Sequence, residues 1–155
     1  MVARKHDMSC VFVNVWRGEG AFKNCSLLES VHIPSSVAGN WREVFSGCSS
    51  LKSVEIPKEA TAIDHRNFYN CTSLVSVAIP QGVTEIGSSA FDGCSSLERI
   101  ELPNEVQKIG SSAFSGCSSL QSANIPEGVN LLDQHVFMGC SSLKSITIPN
   151  SVTEI

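Results

Sequence analysis

Apolar positions along the chain follow a block that returns every 23 residues. In its clearest copy Leu97, Ile100 and Leu102 are spaced by polar residues and followed by Pro103. Val106, Ile109-Gly110, Ala113-Phe114 and Gly116 come next, before Cys117 starts the following copy. Ile100 and Leu102 alternate with outward residues, the period of a strand that shows one face to a core. The proline ends that strand, because it has no N–H to give to a neighbouring ladder. Val106-x-x-Ile109 reads as a second short extended piece on the back of the coil. Ala113-Phe114 reads as a helical turn opened by Ser111, as Ser88 opens the equivalent turn before Phe91; serine is a good N-cap. Self-similarity at this period predicts a solenoid. Its parallel front strands are expected around 28–33, 51–56, 74–79, 97–102, 120–125 and 143–148.

Single residue types mark the period. All six prolines keep the step, as do six of seven phenylalanines (Phe22, Phe45, Phe68, Phe91, Phe114 and Phe137). Leucine does so from Leu28 to Leu143, and cysteine from Cys25 to Cys140. Immediately before each of those cysteines stands Asn24, Gly47, Asn70, Gly93, Gly116 or Gly139. Only Gly and Asn occupy that row, which predicts a left-handed residue closing the turn. One block cannot fold alone. Burying its apolar side chains gains roughly 10–20 kcal/mol, less than ordering its backbone costs at about 1–2 kcal/mol per residue. Stacking closes the gap by covering both faces of each inner coil.

Composition removes several functions. A formal charge of −4 without a Lys/Arg run does not suit a nucleic-acid partner. No apolar stretch approaches the length of a membrane span. The run Cys10 to Trp16 is short and interrupted by Asn14, with no small-residue cleavage site after it, so no secretory leader is visible. Seven cysteines raise disulfides or metal, but no C-x-x-C pair exists to form a closed zinc site. Their spacing points to small buried residues whose weak S–H satisfies a turn carbonyl. The rival reading is a reactive thiol served by His65 near Cys71 or His135 near Cys140. It lacks such a histidine at four of the six copies. Neither a cofactor nor an enzymatic activity is expected.

The motif Cys-Ser-Ser-Leu-x-Ser-Val/Ile-x-Ile-Pro, with Ser-Val-Thr-Glu-Ile-Gly-x-x-Ala-Phe after it, resembles the BspA-like leucine-rich repeats over residues 18–155. The resemblance implies a leucine-rich-repeat solenoid, mainly β, with short parallel strands on one face and short extended or helical turns on the other. It also implies a non-catalytic module for protein–protein or cell-surface adhesion-type binding, located at the cell surface or secreted. The alternative is a scaffold or spacer solenoid without a dedicated ligand, cytoplasmic because no leader is visible. Residues 18–155 form six units, the last one truncated. Residues 1–17 diverge, although Val11, Val13 and Val15 alternate like a strand, as in a degenerate first coil. The truncated last unit reads as a fragment of a longer array, whose uncapped C-terminal edge is a template for self-association.

The outward rows of the front strands are the candidate binding face for a protein or surface ligand. The first is Ser30, Ser53, Ser76, Arg99, Ser122 and Ser145; the second is His32, Glu55, Ala78, Glu101, Asn124 and Thr147. They read either as a shallow polar docking strip or as a solvated sheet face whose small hydroxyl residues suit tight stacking. Trp41 is a secondary candidate, as an exposed anchor or as an indole filling the core slot that Asn40 leaves vacant. Asp64-His65-Arg66 and Asp133-Gln134-His135 lie on equivalent turns three coils apart, ~14 Å at one strand spacing per coil, and read as solvated turn residues. The sequons at Asn24 and Asn70 coincide with the left-handed position.

Overall fold

Each 23-residue block closes one coil of a β-solenoid, and every strand pair joins residues 23 positions apart. The computed structural model describes residues 19–33, 35 and 41–155. The divergent segment 1–17 and the slot at Asn40 lie outside them. The strands are β1 (Ser30–His32), β2 (Ser53–Glu55), β3 (Ala62–Ile63), β4 (Glu85–Ile86), β5 (Arg99–Ile100), β6 (Lys108–Ile109), β7 (Ser122–Asn124) and β8 (Ser145–Thr147). All pairings are parallel. The front carries β1-β2 and, separately, β5-β7-β8; the back carries β3-β4-β6. Bridges from Ile109 to Leu132 and from Leu131 to Glu154 continue the back ladder to the last coil. The Val-x-x-Ile segment is therefore the second extended piece.

Between the ladders lies one continuous core. Phe45, Phe68, Phe91 and Phe114 are fully buried, as are Leu51, Leu74, Leu97 and Leu120. The six phenylalanines from Phe22 to Phe137 stack ring on ring, with centroids 5.3–5.6 Å apart and planes within 12° of parallel. Covering both ring faces in this way buries far more surface than one coil could.

The Gly/Asn row is left-handed at all six positions, with φ from 56° to 78°. A second row of the same hand comprises Gly20, Glu43, Arg66, Ser89, Ser112 and His135. Five of those six are not glycine, so residue type does not reveal the row. A left-handed backbone costs such residues roughly 1–2 kcal/mol each. Hydrogen bonding explains why they accept it. Ser89, Phe91 and Gly93 donate their N–H groups to Ser111, Ala113 and Ser115 on the next coil. Ala90, Asp92 and Cys94 donate theirs three residues back, to Gly87, Ser89 and Phe91. Alternate peptides face along and across the axis, which forms a third inter-coil ladder. The expected helical turn is replaced by this arrangement, and no helix occurs among the described residues.

Two other expectations need correction. Residues 74–79 form no strand; coil three contributes a single bridge, from Ala78 to Glu55. Each front strand is held by two or three rungs, so one missed alignment dissolves the element although Leu74, Val77 and Ile79 remain buried. The cysteine row is not uniformly free: Cys25, on the first coil, is disulfide-bonded.

Candidate binding face

All twelve outward front residues, from Ser30 and His32 to Ser145 and Thr147, are exposed. Their inward neighbours Val54, Val77, Ile100 and Ala123 are buried, and this alternation holds the strip in register. The strip is not uniform. On coils one and two its charges are internally satisfied, with His32 hydrogen-bonded to Glu55 at 3.2 Å and Lys52 to Glu29 at 3.0 Å. On coil four Glu98, Arg99 and Glu101 have no ion-pair partner among the described residues.

Coil three changes the backbone as well. Lys52, Glu98, Gln121 and Lys144 each donate an N–H to the equivalent carbonyl of the preceding coil. Val75 N–H makes no such bond among the described residues. On the front no strand pairing joins coils three and four, although the back ladder runs on through β4 and β6; one front backbone bond remains, from Glu98 N–H to the Val75 carbonyl at 3.1 Å. On coil four β5 ends at Ile100, because the Asn124 side chain takes over the next rung. Its Oδ1 accepts from Leu102 N–H and its Nδ2 donates to Leu102 carbonyl, both at 2.9 Å. Asn124 is thus committed to its own fold.

The interruption opens a groove of about 1030 Å³ lined by Val75, Ala78, Arg99, Glu101, Asn104 and Ser122 among others. Five of those lie in coils three and four. Val75 is 45% exposed, in a row otherwise occupied by Glu29, Lys52, Glu98, Gln121 and Lys144. Sequence reasoning passed over Val75, Glu98 and Asn104. The signal for Val75 was present: it is the one apolar member of its row.

The remaining candidates lie elsewhere. Trp41 is half-buried and packs on the core, and its backbone N–H donates to Asp64 Oδ2 at 2.9 Å. Asp64 therefore ties two coils together and is not merely a solvated turn residue. Arg66 lies over the Tyr69 ring at 5.2 Å. Lys23 donates to Glu43 and holds its carboxyl below the usual carboxylate range. Asp133 accepts its neighbour Gln134 N–H.

The thiols are built into the stack. Cys48, Cys71, Cys94, Cys117 and Cys140 each donate S–H to the phenylalanine carbonyl of the preceding coil, at 3.0–3.2 Å. The Phe68 carbonyl, for example, accepts both Cys71 N–H and Cys94 S–H. Burial pushes the Cys48 thiol from 9.0 up to about 11 and raises Cys71, Cys94 and Cys117 further. A nucleophilic thiol needs the opposite shift. Among the described residues no three His, Cys, Asp or Glu side chains are grouped to hold a metal ion. No helix there is long and apolar enough to cross a membrane.

Comparison with known proteins agrees with this architecture. The family model for the BspA type leucine-rich repeat region matches six copies, over residues 16–81 and 41–155. A leucine-rich-repeat protein from T. pallidum superposes with a TM-score of 0.82 at 37% identity, covering 88% of this chain and 64% of that one. A leucine-rich cell-surface protein from Faecalibacterium prausnitzii gives 0.72 at 32% identity, covering 77% of this chain and 31% of that one. One from Bacteroides ovatus gives 0.70 at 29% identity, covering 87% and 41%. The chain thus spans less than two thirds of the length of each. Among curated proteins no match is found. With the period, the two strand ladders and the family model in agreement, the chain belongs to the BspA-type leucine-rich-repeat family.

Proposed function

We propose that the chain is a non-catalytic binding module that takes up a protein partner at a cell surface through the outward front strip. The observation that carries this reading is the groove over coils three to five. There the regular ladder gives way and exposed apolar atoms stand beside charges with no internal partner. On coils one and two of the front, neighbouring coils satisfy each other's charges through His32–Glu55 and Lys52–Glu29, which leaves a partner less to gain there. The cell-surface setting is supported by the likeness to the F. prausnitzii relative, itself a cell-surface protein.

Photo-reactive side chains placed at Ser76 and Ser122, against controls at Lys108 and Glu154 on the back ladder, test the binding reading in cells that make the protein. Adducts from the front positions alone are expected. Equal adducts from both faces, or none from the front, would defeat it and favour the spacer alternative.

A further inference from the structure

The groove's chemistry specifies its occupant more narrowly. We infer that it takes an extended segment of a partner protein in which small apolar side chains alternate with basic ones, the apolar ones on Val75 and Ala78 and the basic ones toward Glu98 and Glu101. This inference rests on the front strip being the binding face and deepens that reading.

Three independent features converge. First, coil three replaces charged or polar outward residues with apolar ones at both Val75 and Ala78, with Ser76 between them. In the Ala78 row the other members are His32, Glu55, Glu101, Asn124 and Thr147. An exposed, branched apolar side chain beside a methyl group makes a floor for apolar atoms and offers nothing to a polar side chain. Second, the wall on coil four carries two carboxylates and one guanidinium, a net charge of −1 from Glu98, Arg99 and Glu101. None of the three has an ion-pair partner among the described residues. In contrast, Glu29, Glu55 and Glu85 are each held by a cation or histidine of an adjacent coil. Charges that the fold leaves unpaired at the edge of an apolar floor complement a cationic ligand and not an anionic one. Third, the shape suits a strand-like segment. An extended chain alternates its side chains between two directions, so apolar contacts on coil three and ionic contacts on coil four can be made by successive residues.

The test uses the full chain and three short peptides: alternating lysine and valine, alternating glutamate and valine, and alternating lysine and serine. Binding is followed by residue-resolved amide NMR, because an acidic protein attracts any cation weakly over its whole surface. The lysine–valine peptide should shift residues 75–78 and 98–104 and bind roughly five- to tenfold more tightly than the glutamate peptide, as two exposed ion pairs allow. Replacing valine by serine in the peptide should weaken binding, and so should Val75→Ser in the protein. The double change Glu98→Lys with Glu101→Lys should reverse the preference between the lysine and glutamate peptides. These positions are exposed, so the variants should retain the wild-type melting midpoint. Equal affinity for the two charged peptides, shifts centred away from the groove, or no binding would overturn the inference. So would concentration-dependent shifts of the same residues without peptide, which would identify a second copy as the occupant. Front-only photo-adducts obtained alongside any of these failures would leave the binding strip standing and remove only the basic, apolar ligand.

Discussion

The turn edge and the front face are built from the same 23-residue period, yet one is continuous and the other is broken. Along the turn edge, phenylalanine rings stack without interruption from Phe22 to Phe137. Every free thiol bonds to the same carbonyl of the coil before it. A smaller repeat reinforces the pattern: the hydroxyls of Ser49, Thr72, Ser95, Ser118 and Ser141 each donate to the equivalent carbonyl one coil back. The front face keeps its buried residues but loses its pairing at coil three. Mutual contact between like residues keeps the phenylalanine and cysteine rows invariant in the first region. Outward side chains in the second touch mainly solvent, so their identity can drift or be put to use. Regularity therefore marks where the stability lies, and interruption marks where the front face opens, the place proposed above for a partner.

The largest expected effect that tests this contrast is at the rings. Phe91→Ala should cost about 3–5 kcal/mol, the usual range for a buried phenylalanine, because Phe91 is covered on both sides. Phe22, half-buried at the first coil, should cost clearly less. Equal shifts of the denaturant midpoint would contradict the coil assignment. Next comes close backbone approach. A Cβ on Gly87 would lie 2.6 Å from His65 N and 2.7 Å from Asp64 C, whereas one on Gly82 meets nothing nearer than 3.4 Å. Gly87→Ala should therefore lose roughly 1–3 kcal/mol, as overpacking does. Gly82→Ala should be tolerated, and thermal melts of the pair decide it.

The thiol ladder makes the turn edge sensitive to alkali. A thiol whose folded-state pKa is raised stays protonated in the fold while the unfolded chain ionises. Its stabilisation is full below pH 9.0 and is lost as pH climbs toward about 11 for Cys48, and higher for the deeper thiols. The melting midpoint should fall above pH 9 in the wild type and fall less in Cys94→Ala; parallel pH profiles would refute the ladder's role. The smallest effects belong to the front. Asn124→Ala removes two bonds to Leu102 and should cost about 1 kcal/mol, with faster amide exchange at Leu102. Ser122→Ala should stay within about 0.5 kcal/mol while lowering affinity for any partner seated in the groove. A larger loss of stability would make Ser122 part of the scaffold.

Much of this division was readable before any coordinates. Rows of Leu, Phe, Cys and Pro locate the coils because a buried slot accepts few residue types, and stacking imposes the same slot on every copy. The Gly/Asn row located its left-handed turns because few residues occupy that conformation cheaply. The twelve outward positions followed from strand alternation alone. What the sequence could not disclose depends on many residues at once. The left-handed row that includes Glu43, Ser89 and Ser112 is held by N–H groups donated to the next coil, not by residue preference. The absent third strand and the clamp of Asn124 on Leu102 turn on small offsets between neighbouring coils. Side-chain periodicity reports which face a residue occupies, whereas a rung requires its donor and acceptor to meet. That alignment is set only when the whole stack has closed, and it decides where the front face opens into a groove.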